Sequence, residues 1–266
     1  MAKVEVKENS KTREQFLLIV DAFRRMLYNV ENSAERLEVF DDIITLRASF
    51  LIDSVLDGLR IDFDRAMELF QAKNLHLTER DESERDTLMA AFDNLVDFAV
   101  AQEVAMMQEL PEELDLAEME SYEAICRKYN ETYAETENAQ VLHAGAIAAF
   151  WIGLSAESLI TYNTQNDERV RELHQSFDGL TYPKSQFPPE LIPPIEWACR
   201  CYLTADGYGS VMDSILKPQI KVNPIFAESL ATGGRIFTNA HPYFRHTLPP
   251  EVEAIKQRIK TKLWLR

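Results

Sequence analysis

Ala139-Gln-Val-Leu-His-Ala-Gly-Ala-Ile-Ala-Ala-Phe-Trp151, followed by Ser158-Leu-Ile-Thr-Tyr-Asn163, is the stretch on which the fold class turns. The first run is small and apolar and reads as a helix. The second is β-branched and aromatic and reads as a strand. Working outward, residues 1–142 hold one glycine, Gly58, and one proline, Pro111, while residues 143–266 hold the other seven glycines and ten prolines. Helix breakers are nearly absent before this stretch and frequent after it. The chain is therefore expected to be α+β and mostly α. An acidic N-terminal helical bundle is followed by a loop-rich α+β domain and a basic amphipathic C-terminal helix.

With 266 residues, 46% hydrophobic and 27% charged, the chain is long enough for one large or two ordinary domains with buried cores. That balance excludes disordered, collagen-like and disulfide-stapled classes. The formal net charge is −16. Before position 143 there are 15 basic and 32 acidic residues, and after it 13 and 12, so all of the acidity belongs to the first half. Such a molecule repels nucleic acid and anionic membrane at long range, and any such partner must meet a local patch. No run approaches the roughly 18 apolar residues of a bilayer span, and the start MAKVEVKENSK is polar and charged, so a cytoplasmic, soluble protein is expected.

In the first half the apolar spacing is helical. Phe16, Ile19, Val20, Phe23 and Leu27 recur at threes and fours, as do Phe40, Ile43, Ile44, Phe50, Leu51 and Val55. Thr78 can cap a helix running through Leu88, Phe92, Leu95, Val96 and Val100. Pro111 fits the first turn of the next helix, which carries Leu116, Met119, Ile125 and Tyr129. About five helices are expected. The acidic runs Asp41-Asp42, Asp81-Glu82-Ser83-Glu84 and Glu112-Glu113 read as solvated faces rather than cation sites, and no Glu-x-x-His pair of the di-iron type occurs.

After Asn163 the spacing predicts a short polar helix from Asp167, a turn at Asp178-Gly179, an extended loop through the five prolines of 183–194, and a strand over Trp197-Ala-Cys-Arg-Cys-Tyr-Leu203. Residues 223–244 are expected to be irregular. A basic helix closes the chain from Glu251 to Arg266.

The ordered series Thr164-Gln-Asn-Asp-Glu-Arg-Val-Arg-Glu-Leu-His174, Phe177-Asp-Gly179, a proline-rich loop and Cys199-Arg-Cys201 resembles the signature of the phage Mu protein F-like minor head proteins. The resemblance extends upstream to Thr136-Glu137 and downstream to Asn223-Pro224, Gly233-Gly234 and His241-Pro-Tyr-Phe244, and so implies a domain over residues 132–247 between an acidic helical region (1–131) and the basic amphipathic C-terminal helix (248–266). It implies a minor head protein of a tailed phage or prophage, associated with the portal and other capsid proteins. Such a protein sits in the virion head or at the portal vertex, in host cytoplasm during assembly, and has possible contact with packaged DNA and none with membrane. The sequence holds no Gly-x-Ser-x-Gly elbow, no His-Glu-x-x-His and no Walker loop, so no catalytic residue and no enzyme is expected. The runner-up is a metal-dependent or nucleophilic enzyme carried in the virion, a nuclease or an envelope hydrolase.

The motif residues also carry their own chemistry. Asp167 can cap the first turn of the short helix. Of Arg169 and Arg171, two apart, one can hold the Asp178 turn or a strand carbonyl by a charge-assisted bond while the other faces out. Arg171 and His174 share a helix face, as an anion site or as a knot between helix and loop; Gly179 and Arg200 complete the structural set. No cofactor is expected, although His174, Cys199 and Cys201, with His241 or Cys126 as a fourth ligand, could hold zinc. A Cys-x-Cys pair on a strand aims both thiols to one face. The alternative is a pair of cysteines packed in a core or oxidised to each other. His174 with Asp178 could also be drawn as part of a Cys-His-Asp site. The Gly233-Gly234 stretch reads as a turn rather than a phosphate cradle. On the terminal helix, Lys256, Arg258, Lys260, Lys262 and Trp264 form a candidate partner surface, beside an apolar stripe of Ile255, Ile259, Leu263 and Trp264. Such a helix can dock on a partner, lie on DNA or cover its own domain.

Overall fold

The computed structural model describes residues 2–28, 33–71, 77–205 and 221–264, with side chains from Lys11 to Leu263. The helices run α1 (Ala2–Tyr28), α2 (Ser33–Leu59), α3 (Phe63–Gln71), α4 (Glu79–Gln108), α5 (Met119–Arg127), α6 (Ala134–Ile152), α7 (Glu172–Gln175) and α8 (Pro250–Trp264). Strands β1 (Leu159–Asn163), β2 (Thr181–Pro183) and β3 (Tyr202–Thr204) form one antiparallel sheet in the order β2-β1-β3. The protein is thus α+β and mostly helical, as its sequence implies.

Two compact units divide the chain discontinuously. One draws on residues 1–53, 92–139 and 241–266, the other on 54–91 and 140–240. The consecutive blocks suggested by composition are interleaved, and α8 joins the unit of the N-terminal helices.

In the first unit the periodic residues are where their spacing puts them. Phe16, Ile19, Val20, Phe23 and Leu27 are all buried, and α1 packs along α5 and the π-helical segment Lys128–Tyr133. Arg24 closes that contact with two bonds to Glu123, at 2.6 and 2.7 Å. Pro111, by contrast, opens no helix. The chain stays irregular to Asp115, whose Oδ1 caps a 3₁₀ turn by accepting from the Ala117 N–H at 2.9 Å, and α5 starts only at Met119. Leu116 consequently lies 58% exposed, outside the stripe assigned to it. A nearer carboxylate cap wins over a proline that merely tolerates a first turn.

Helix α8 is folded back on its own unit. Val252, Ile255 and Ile259 are buried. Lys260 pairs with Asp93 and Asp97 at 2.6 and 2.7 Å, Lys256 with Glu253 at 2.7 Å, and Arg258 with Asp41. Three of the five residues singled out for a partner surface therefore have acidic partners at home. Lys262 is exposed, Leu263 is half-buried and the Trp264 side chain lies outside the described residues.

In the second unit, Thr78 begins α4 as its sequence suggests, and reciprocally. Its Oγ1 accepts from the Asp81 N–H at 3.1 Å while Asp81 Oδ2 accepts from the Thr78 N–H at 3.0 Å. Gly58 and Gly145 mark a close crossing of α2 and α6: a Cβ on Gly58 would strike the Leu142 carbonyl, and one on Gly145 would sit 2.7 Å from the Val55 carbonyl. The single glycine of the first half is thus a packing requirement, not a break.

The sheet pairs Ile160 with Tyr182 and Tyr162 with Leu203. Those four are buried together with Trp151 and Ile147 of α6, Phe177, Phe187, Leu191, Ile195, Cys199 and Cys201. Lys184 ends α6 by donating to the Trp151 and Leu154 carbonyls at 2.8 and 2.7 Å, satisfying acceptors that a helix end leaves open.

Candidate functional site

The segment between β1 and β2 leaves the sheet and is clipped at its base. Thr164 donates from its N–H and its hydroxyl to Asp178 Oδ1, at 2.6 and 2.9 Å. Gly179 then takes φ +81°, the left-handed conformation that glycine adopts without a steric penalty, and its N–H reaches the Tyr162 carbonyl at 2.8 Å. The Asp178-Gly179 turn is where the sequence puts it.

Within the excursion the details differ from expectation. The helix is the single turn Glu172–Gln175, with Arg171 at its N-cap in an extended conformation. Asp167 lies too early to cap it. Its Oδ1 accepts from the Arg169 N–H at 3.1 Å in a preceding turn, and both its oxygens meet the Arg200 guanidinium, at 2.6 and 2.8 Å, which holds its carboxyl below the usual range. Arg169 and Arg171 therefore do not share a helix. Arg171 Nη2 donates to the Trp197 carbonyl at 2.8 Å, the role of holding a main-chain carbonyl, although that carbonyl belongs to a loop.

The opposite wall is the loop before β3. Only Tyr202–Thr204 is strand, so the two cysteines do not owe their shared direction to a β pleat. Ala198 adopts φ +53°, a costly conformation for a side-chain-bearing residue, and turns the chain so that Cys199 and Cys201 both face inward. His174 is buried between them, with Nδ1 at 3.3 Å from the Cys201 sulfur and 3.9 Å from that of Cys199. The three ligand atoms lie within 4.8 Å of one another. Hydrogen bonds from Cys201 and His174 hold the Cys199 thiol below its usual range, while Cys201, as donor in a buried pair, is pushed up. A cavity of about 20 Å³, lined by these three with Gln165, Arg169 and Arg171, adjoins the cluster.

Several supporting residues carry no sequence signal of their own. His143 on α6 bonds the Cys201 carbonyl at 2.9 Å through Nε2. Gln165 donates to the Arg200 carbonyl and Gln140 to the Glu196 carbonyl, both at 2.9 Å. Glu196 also anchors Asn223 at 2.7 Å. The periodicity of α6 could have marked only that His143 and Gln140 lie toward one side.

The other candidates are not brought together with this cluster. Cys126 and His241 belong to the other unit. Burial pushes the Cys126 thiol up, and His241 packs edge-on against Phe98 and Tyr243, where burial lowers its pKa to about 4. A ring so enclosed is a neutral core histidine that accepts from the Tyr243 N–H at 3.3 Å. Asp178 spends its bonds on Thr164, so no hydrogen bond links it to His174 among the described residues and the Cys-His-Asp arrangement is not formed. Around Gly233-Gly234 the N–H groups turn inward: Gly233 to Leu230, Gly234 to Ser229 and Arg235 to Glu228. None is left to cradle a phosphate there.

The first unit holds a second polar cluster. Arg47, 1% exposed, donates to Gln102 (2.6 Å), Asn138 (2.7 Å) and Glu137 (2.8 Å), and the Tyr243 hydroxyl completes Glu137 at 2.9 Å. Glu103 is fully buried beside it, with one carboxyl oxygen unpartnered and its pKa pushed up to about 8 by burial.

Residues 99–204 match the family described as Phage Mu protein F like protein. The match starts within α4 and ends with β3, so it takes in Glu103, Glu137 and the whole His-Cys-Cys cluster. An uncharacterized protein of Methanocaldococcus jannaschii is 42% identical over 45 residues, 17% of this chain and 7% of that protein. The chain thus spans a small fraction of the length of the curated relative it matches. No solved structure matches it.

Proposed function

We propose, from the match of residues 99–204 to the Phage Mu protein F like family, that the chain is a minor head protein that works at the portal vertex during assembly of a tailed-phage or prophage head. The observation that carries this reading is the unit that those residues build. Asp167 to Cys201, an ordered but scattered set in sequence, closes on itself through the Asp167–Arg200, Arg171–Trp197 and Thr164–Asp178 bonds. The family signature thus coincides with residues joined by hydrogen bonds across two loops, which supports a recognition role in a protein assembly.

The charge distribution supports a protein partner over a nucleic acid. Three basic residues of α8 have acidic partners in Asp41, Asp93, Asp97 and Glu253 and are not left over for phosphates. No described helix is long and apolar enough to cross a membrane. Portal and capsid proteins are the proposed partners, and the head or portal vertex the proposed location.

The test is removal of the gene from the phage or prophage that carries it, with mass spectrometry of purified particles and co-purification of the tagged full chain with the portal protein. The reading expects a few copies per particle, portal in the eluate and defective heads without the gene. Full heads and normal infectivity, with no copies of the chain in particles, would overturn it.

A further inference from the structure

We propose that His174, Cys199 and Cys201 form a zinc site that pins the β1–β2 excursion to the loop before β3, with its fourth position filled by a water from the adjoining cavity. A tetrahedral zinc, with bonds of about 2.3 Å to sulfur and about 2.05 Å to nitrogen, sets nitrogen and sulfur about 3.6 Å apart. The two observed nitrogen–sulfur separations, 3.3 and 3.9 Å, bracket that value, and all three donors lie within 4.8 Å. Little rearrangement is needed to close on a metal. Two thiolates and an imidazole are a donor set that selects zinc over magnesium, calcium or manganese.

The cluster belongs to the buried core around the sheet, yet polar groups fix it from several sides. The Tyr162 hydroxyl is buried, finds no nitrogen or oxygen partner among the described residues, and lies against the Cys201 sulfur. A metal-bound thiolate would give it an acceptor. His143 fixes the Cys201 carbonyl, Arg171 fixes the Trp197 carbonyl two residues before Cys199, and Gln165 fixes the carbonyl between the cysteines. Each bond sets the direction of a ligand from outside the ligand set, as supporting shells do. The cavity of about 20 Å³ matches one water molecule, and no fourth protein ligand stands in the cluster among the described residues. The left-handed Ala198 is the backbone distortion that brings Cys199 into the set.

Binding exchanges the thiol protons for the metal, so loading releases up to two protons per zinc. The full chain, purified under reducing conditions from zinc-supplemented cells, is expected to carry one zinc per chain. After chelation and reloading with cobalt(II) it should show the charge-transfer absorption of two thiolates and tetrahedral d–d bands. Cys199→Ser and Cys201→Ser should each remove about half of that charge-transfer intensity or abolish binding.

A readout on the unaltered chain guards against variants that fail to fold. Alkylation of Cys199 and Cys201 should slow at least about tenfold when zinc is restored to the chelated protein, with Cys126 unaffected as the internal reference. Equal alkylation with and without zinc would overturn the proposal. So would the absence of zinc from the reloaded protein, or a Cys199–Cys201 disulfide in the reduced preparation. None of these outcomes bears on head assembly, which is tested by particle content.

Discussion

The Tyr243 hydroxyl donates to Glu137 across 106 residues of sequence, at 2.9 Å and in a fully buried setting. With Arg47 and Gln102 on its other oxygen, the Glu137 carboxyl is satisfied on both sides although burial raises its pKa. Tyr243→Phe leaves one oxygen unsatisfied with almost no change of shape, at a cost of about 1–3 kcal/mol. Arg47→Met removes the positive charge bonded to that carboxyl and is expected to cost about 3–5 kcal/mol. Urea unfolding of the purified chain, followed by far-ultraviolet circular dichroism, measures both. Equal losses for the two variants would mean that the charge is not what the network holds.

Glu103 makes stability depend on pH in a direction opposite to an ordinary ion-paired carboxylate. Its folded pKa, about 8, exceeds the unfolded value of about 4.5, so the folded chain holds the proton more tightly. This contribution is complete below about pH 4.5 and is lost as pH rises toward about 8, by up to about 1.4 kcal/mol per pH unit within that window. Glu103→Gln keeps the shape without the ionisation. Unfolding midpoints at pH 6 and pH 8 are expected to converge in that variant and to diverge in the parent.

The crossing at Gly58 and Gly145 tolerates no methyl group. Gly58→Ala and Gly145→Ala each place Cβ against a backbone carbonyl of the opposing helix and should lower stability by about 1–3 kcal/mol, despite the better intrinsic helix propensity of alanine. A rise in the melting temperature of either variant would contradict the close approach.

At Ala198 the sign reverses. The left-handed backbone favours glycine, so Ala198→Gly should hold or raise stability by up to about 1 kcal/mol, while Ala198→Val should lower it and loosen the Cys199 side of the cluster. Thermal unfolding together with the alkylation rate of Cys199 reads both effects.

What the sequence disclosed follows from which signals are local. The α1 stripe from Phe16 to Leu27, the β1 strand, the Thr78 cap and the Asp178-Gly179 turn depend on neighbours within a few positions, and all are found as read. Arg47 and Glu103 carry no sequence signal, and Glu137 is marked only through the resemblance at Thr136-Glu137, because the partners that bury them stand far away in sequence. The convergence of His174 with Cys199 and Cys201 was legible as a set of ligand types, but through a strand that does not extend that far. The turn at Ala198 has no marker, since alanine is among the last residues expected at positive φ. Pro111 misled for a related reason: it permits a helix start without compelling one, and Asp115 supplies the compelling cap.

Both outer strands of the sheet are three residues long, and β1 is enclosed between them. A border that short offers an incoming copy too few open amide groups to lengthen the ladder. Among the described residues, molecules of this kind thus offer no long backbone edge along which to stack into fibres, and their mutual contacts are left to side chains, where each can be made and undone separately.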